Sequence, residues 1–504
     1  MTLLKKTSFL MIWALAGVIA TVMLMSCDLN GVDGNWGSSG GGGSGNTGDE
    51  SVQLGDSVKD PNPRKFEVLD INNKYSDITA YQRAVGKKCE VWVDQAESVT
   101  AEQIAKIVNE FDNNIYGKLS GIFGDYLTLG LDVGKNLDVD KNGRLLLLLT
   151  DIKDTYTSEG DVFVAGYFSY IDLFAYEHSN GADMIVVDTN PGLSENPDTA
   201  YTTIAHEYQH LINFASMVYH RAKVEGQKVT LSFVDTWIDE GIASAAEYLY
   251  GGPVKSLIDW FNYDPMGTIA RGNNFYVWGE RSASIMDEYA TVYLFFQWLR
   301  LQSGGVEIYK DIVKSPDYSD YRAVTAAAGA RINSGYSDWA ALLGDWFEAN
   351  YRNDPSGLYG YKGEITTRVL AVKGGQYGLY SGEGVYGISS VAAPADSLPL
   401  KYIKISPDSA ASLKDRILMY NANTALGTWN SGLEKYDYDI ITGALPGLII
   451  DETKPRLVAS SVLSRSVYGN ASEPHAIDIR DLIGRQNGGG VITLKRPEAD
   501  NGQD

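Results

Sequence analysis

The stretch Tyr201-Thr-Thr-Ile-Ala-His-Glu-Tyr-Gln-His-Leu-Ile-Asn-Phe214 decides how the rest of the chain is read. Its apolar residues Ile204, Tyr208, Leu211 and Ile212, with Ala215 just beyond, recur at the spacing of an amphipathic helix. On a helix, His206 and His210 lie one turn apart on a single face. Two imidazoles so placed can hold one Zn²⁺, and Glu207 beside them can take a proton from a water that the metal polarises. The whole chain has only five histidines, which makes this register informative.

A zinc site that does chemistry needs a third protein ligand and an open position. The stretch Thr236-Trp-Ile-Asp-Glu-Gly-Ile-Ala-Ser-Ala-Ala-Glu247 also has helical character and offers Glu240 near its start. Glu247, about two turns further on the same face, is the main alternative ligand. Histidine ligands are usually oriented by carboxylates, and Glu247 and Asp239 are the candidates for that task.

Together the two motifs resemble the gluzincins, in which a His-Glu-x-x-His helix is followed by a helix opening Trp-(Leu/Ile)-(Asn/Asp)-Glu-Gly. The wording His-Glu-Tyr-Gln-His-Leu-Ile-Asn-Phe is similar, more narrowly, to the hyicolysin family of bacterial secreted metallopeptidases. This resemblance covers roughly residues 85 to 350. It implies an α+β, thermolysin-like metallopeptidase domain with Zn²⁺ held by His206, His210 and Glu240, Glu207 as general base, and a protein or peptide as substrate. Asp239 stands where the familiar pattern often has Asn. By the same resemblance, Ala165-Gly-Tyr-Phe168 is the sheet edge that pairs with extended substrate, with Gly166 permitting close backbone approach. Gluzincins often supply a Tyr or His, from a helix after the third ligand, to stabilise the oxyanion. Tyr289 and Tyr293, one turn apart on a helix expected from about Met286 to Leu301, are the candidates, with His220 as an outsider. The reading is an endopeptidase. A zinc aminopeptidase of the same clan and a surface adhesin retaining a peptidase fold are the alternatives; the adhesin would typically lack Glu207 or a ligand, and all four residues are present.

At the start of the chain, Lys5 and Lys6 precede an apolar run from Phe9 to Met25 that ends in Leu24-Met-Ser-Cys27. This has the layout of a secretory signal over residues 1–26. Its end resembles a bacterial lipobox, which implies lipid attachment at Cys27, a membrane anchor and an extracytoplasmic place in the cell envelope. Residues 27–60, with a Gly/Ser/Asn/Asp-rich stretch from Gly31 to Glu50, read as a tether that could form no core.

The remainder of the 504 residues is too long for one core. An N-terminal α+β part is expected over 61–200, a helical metal-binding part over 201–358, and a β-rich C-terminal domain over 359–504. Within the first, Thr100 and Gln103 form a capping box ahead of an apolar stripe of Ile104, Ile107, Val108, Phe111 and Ile115. Strands are expected at 144–150, 162–170 and 183–188, and in the last part at 365–372, 416–421, 436–441 and 456–463. Asp138, Asp140 and Asn142 match the first half of a calcium loop, although position twelve is Leu149; a polar turn leading into a buried strand explains them equally well. Beyond Cys27 only Cys89 remains, so the globular part forms no internal disulfide, and Cys89 reads as a small buried hydrophobe. A formal charge of −22 without a basic cluster argues against a nucleic-acid partner.

Overall fold

A computed structural model describes residues 53–54, 63–453 and 491–495, apart from 71, 73, 130–136, 154–162, 195–196, 226–227, 273–274, 279–284, 390, 398, 408–413, 426, 431–434 and 448–450. The expected signal, the lipidation site Cys27, most of the tether and the strand expected at 456–463 lie outside the described residues.

The N-terminal part is a mixed sheet. Its strands are β1 (Gln53–Leu54), β2 (Arg64–Leu69), β3 (Tyr75–Val85), β4 (Cys89–Asp94), β5 (Leu145–Thr150), β6 (Gly166–Phe168) and β7 (Met184–Asp188). They run in the order β1-β3-β4-β5-β7-β6, with β2 paired to β3. Strands β4, β5 and β7 pair in parallel at the centre. Every residue of Leu145-Leu-Leu-Leu-Leu-Thr150 is buried, as a parallel strand covered on both faces requires. Cys89 is buried in β4. Strand β6 pairs antiparallel with β7 and ends the sheet.

Helix α1 (Ala101–Glu110) starts at the expected capping box, with Thr100 and Gln103 bonded reciprocally. Its apolar stripe continues through a wider π turn, Phe111–Ile115, into α2 (Tyr116–Phe123). After β7 come α3 (Pro197–Asn213), the hairpin β8 (Lys223–Glu225) and β9 (Lys228–Ser232), then α4 (Thr236–Gly251), α5 (Lys255–Tyr263), α6 (Met286–Ser303), α7 (Glu307–Val313), α8 (Tyr321–Arg331) and α9 (Trp339–Arg352). Helix α6 is buried on all sides over Met286–Arg300, which makes it the central post of the helical part. Among the described residues, no helix is long and apolar enough to cross a membrane.

Past α9 the chain is β-rich. Strands β10 (Ala371–Val372), β11 (Gly375–Leu379), β12 (Gly384–Ile388), β13 (Leu400–Ile405), β14 (Arg416–Asn421), β15 (Gly427–Asn430), β16 (Lys435–Tyr438) and β17 (Ile441–Leu445) form one four-stranded sheet, β10-β12-β14-β13, and two strand pairs. The strand expected over 365–372 shrinks to Ala371–Val372. Its earlier backbone donors are used elsewhere: Thr367 N–H donates to Asn353 Oδ1 at 2.7 Å and Arg368 N–H to Asn262 Oδ1 at 2.6 Å. The run expected at 436–441 divides between β16, paired with β15, and β17, paired with β11. The β-rich part shares the main core, because Tyr386, Ile405, Leu418 and Tyr420 cluster with Trp346 and Phe347 of α9. The last strand, β18 (Val491–Lys495), returns to pair antiparallel with β9, making β18-β9-β8 a three-stranded sheet.

Candidate metal centre

Helix α3 carries both histidines, and burial begins with the helix itself: fourteen of its side chains, from Thr199 to Asn213, are buried. His206 is fully buried and His210 is 8% exposed, their ring centroids 4.8 Å apart. Helix α4 lies across α3 and brings Glu240 to them. Its Oε2 sits 3.3 Å from His206 Nε2 and 3.5 Å from His210 Nε2. Each of the three residues offers a ligand atom, and these atoms all lie within 4.8 Å of one another.

The approach of α4 depends on Gly241, the residue after Glu240. A Cβ there would lie 2.2 Å from Cε2 of Phe296 on α6, far inside contact distance. Glycine at this position therefore lets α4 lie against the central post.

The outer nitrogens of both histidines are held by carboxylates. His206 Nδ1 lies 2.7 Å from Glu247 Oε1, and His210 Nδ1 lies 3.1 Å from Asp239 Oδ1. Glu247, weighed above as an alternative ligand, is thus placed on the far side of His206 from Glu240. With each Nδ1–H donated outward, each Nε2, once it has lost its proton, presents its lone pair inward.

The donor set fits a zinc ion. Two imidazole nitrogens and one carboxylate oxygen are the composition of a catalytic site that keeps a position open. Ligands bound at about 2.0–2.2 Å to a tetrahedral ion stand about 3.3–3.6 Å from one another. The 3.3 and 3.5 Å separations at Glu240 fall in that range.

Glu207 is buried beside the ligands and is tied to the sheet edge, since Phe168 N–H on β6 donates to its Oε2 at 3.0 Å. The expected edge residues therefore adjoin the expected base. Gly166 also makes close approaches within the protein itself. A Cβ there would meet Thr203 Cγ2 and Val186 O, each at 2.8 Å, so the glycine permits α3 to press on β6.

The two tyrosines part company. The Tyr289 ring centroid is 6.4 Å from that of His206, and Trp278 meets it edge-on at 5.0 Å. Tyr293 turns its hydroxyl to the start of α5 instead, where it accepts from Val254 N–H at 2.9 Å. His220 is exposed and follows a π turn at Phe214–Tyr219, its main-chain N–H donating to Ala215 O.

This chain has a similar protein. Over 313 residues it is 31% identical to the neutral metalloprotease ShpI of Staphylococcus hyicus. The match covers 60% of this chain and 65% of that protein, less than two thirds of its length. No protein-family model matches the chain.

Burial works against a charge on His206, but Glu240 and Glu247 outweigh it and raise the imidazole to about 9. His210 is likewise raised well above the usual histidine range, Asp239 and Glu240 overcoming its burial. A site made this basic exchanges protons for metal.

The loop before β5 gives no support to calcium. Asn142 spends its side chain on the turn, its amide donating to Asp140 Oδ2 at 2.8 Å and its oxygen accepting from Arg144 N–H at 2.7 Å. Asp138 and Asp140 instead group with Asp183, a residue the motif did not include; one carboxylate oxygen from each lies within 4.8 Å of the others, a cluster that could hold a cation but lacks Asn142. Burial lifts Asp183 to about 8, and Tyr126 donates its hydroxyl to it at 2.5 Å. The sequence reads here as a polar turn entering a buried strand.

Proposed function

We propose that the protein is a zinc-dependent endopeptidase acting on proteins or peptides. The observation that carries this reading is the approach of both Nε2 atoms to Glu240 Oε2 while each Nδ1 rests on a carboxylate. The similarity to a bacterial neutral metalloprotease supports it.

His206, His210 and Glu240 would hold the ion. Zn²⁺ bound there supplies Lewis acidity that brings the pKa of a water near neutrality and polarises a carbonyl. Glu207 takes the proton of the attacking water and delivers it to the leaving amine. The Phe168 N–H holds one oxygen of that carboxylate, which fixes its orientation to the sheet edge. Strand β6, at the end of the sheet, offers backbone groups to an extended substrate in the manner of an added strand. Tyr289, whose ring centroid lies 6.4 Å from that of His206, donates to the developing oxyanion. Residues 1–60 support a lipid-anchored, extracytoplasmic location through the signal-like run, Cys27 and the Gly/Ser stretch.

The test is metal content measured together with cleavage of an unfolded protein, for the unaltered chain and for Glu207→Gln and Glu240→Gln. Stoichiometric zinc is expected, retained with activity lowered at least about 100-fold in Glu207→Gln and lost in Glu240→Gln. Absence of zinc from the unaltered protein after loading would overturn the reading.

A further inference from the structure

Beyond the ligands and their carboxylates, a buried chain of amides runs along α3 toward α4. Gln209 and Asn213 are both fully buried and stand one turn apart. Gln209 Nε2 donates to Asn213 Oδ1 at 2.8 Å. That bond settles which way the Asn213 amide points, because it reserves the oxygen as acceptor and leaves Nδ2 facing α4. Nδ2 donates to Asp239 Oδ1 at 2.8 Å and reaches the Asp239 main-chain oxygen at 3.3 Å. The same Oδ1 is the atom beside His210 Nδ1, at 3.1 Å.

We propose that Asn213 is a positioning residue of the metal centre, acting through Asp239 to aim His210. The inference rests on the zinc-site reading above. The Asp239 side chain stands in the first turn of α4 and keeps some solvent exposure, 14%. A carboxylate there can rotate toward water. Two donors on a single oxygen, one from His210 and one from Asn213, hold it in place. Asn213 also grips the Asp239 main chain, the residue preceding Glu240, so the same amide ties the α4 backbone at the third ligand to α3. One side chain thereby couples the orientation of the second histidine to the placement of the glutamate. Neither Gln209 nor Asn213 needs to touch metal or substrate for this.

An isosteric change makes the decisive test. Asn213→Asp replaces a donor with an oxygen that faces the Asp239 carboxylate, so the contact turns repulsive without a change of volume. Asn213→Ala removes the contact outright, and Gln209→Leu frees the amide to flip. The full-length protein and each variant are loaded with Zn²⁺ in chelator competition and, separately, with Co²⁺ for its visible absorption, with metal-free thermal unfolding measured in parallel. Asn213→Asp and Asn213→Ala are expected to bind Zn²⁺ about 10- to 100-fold more weakly and to shift the Co²⁺ bands, which report ligand geometry. Gln209→Leu moves in the same direction by less. If both Asn213 variants keep the unaltered affinity and Co²⁺ spectrum, the positioning role is wrong, whatever their unfolding temperatures. Should Asn213→Asp not fold, Asn213→Ala and Gln209→Leu decide by the same two readouts. Failure of the unaltered protein to bind either metal would remove the zinc-site reading itself, a result distinct from tight binding in every variant.

Discussion

Replacing Gly241 with Ala sets two effects of opposite sign against each other. Alanine is the better helix former by about 1 kcal/mol, so on propensity alone the variant would be more stable. Packing opposes this. The new Cβ would stand 2.2, 2.5 and 2.8 Å from three ring carbons of Phe296. Carbon atoms settle at about 3.5–4.0 Å, so a displacement of more than about 1 Å is required. Phe296 cannot easily supply it, being fully buried with Trp237, Phe295 and Tyr309 around its ring at centroid distances of 6.2, 5.8 and 6.2 Å. The helix that yields is therefore α4, and it carries Glu240 in the adjacent position. Overpacking of this kind costs about 1–3 kcal/mol, and the upper part of that range exceeds the propensity gain. Metal sites tolerate about 0.2 Å, so a shift of the size required must also weaken zinc binding. The assay is thermal unfolding with and without chelator, together with the rate of zinc transfer to a chromogenic chelator. A lower unfolding midpoint and faster release are expected. A raised midpoint with unchanged release would refute the packing argument, showing that Phe296 gives way and that the glycine is not needed for the placement of Glu240.

Three further outcomes follow from the geometry. In the metal-free protein, His206 titrates near 9 against about 6.5 when unfolded, and His210 is shifted in the same direction. Their stabilisation is complete below about pH 6.5 and is lost as pH rises through the folded values, whereas protons compete less with metal, so the gain in unfolding midpoint on adding zinc should increase from pH 6 to pH 9. A constant gain would contradict the shifts. Tyr293→Phe should destabilise by about 1 kcal/mol through the lost bond to Val254 and spare turnover, whereas Tyr289→Phe should lower kcat by at least about 10-fold with little change in stability. Equal losses of kcat in both would end the distinction. Ending the chain before Val491 should speed amide exchange over Lys228–Ser232, measured by mass spectrometry; unchanged protection would mean that β18 contributes nothing to the hairpin.

The His206, His210 and Glu240 cluster was legible because its signal is local. An i,i+4 histidine pair and a Glu-Gly at the start of the next helix are short patterns that survive without knowledge of the tertiary fold, and Glu247 follows from helical phase. Strands β5 and β7 were legible as short runs between polar turns, but their parallel pairing came only from the structure. What escaped depends on contacts between distant segments. The bond from Phe168 N–H to Glu207, the role of Gly166 against Thr203 and the approach of Asp183 to the Asp138 turn each join residues with no shared periodicity. Tyr289 and Tyr293 could not be separated in advance for a related reason. Helix α6 is buried all round, so its phase distinguishes no face. The β-rich part was recognised by its turns, but backbone donors given to Asn262 and Asn353 shortened one strand in a way that composition does not reveal.

The pairing of β18 with β9 has a consequence for the order in which the molecule is completed. The β8–β9 hairpin lies between the helix bearing the two histidines and the helix bearing the glutamate, yet its third strand is encoded about half the chain later. During synthesis, His206, His210 and Glu240 all emerge well before the strand that completes the sheet encoded between them. The hairpin stays open at that edge until residues 491–495 arrive. A polypeptide cut short before Val491 therefore carries both motifs while the outer edge of β9 still lacks its partner strand.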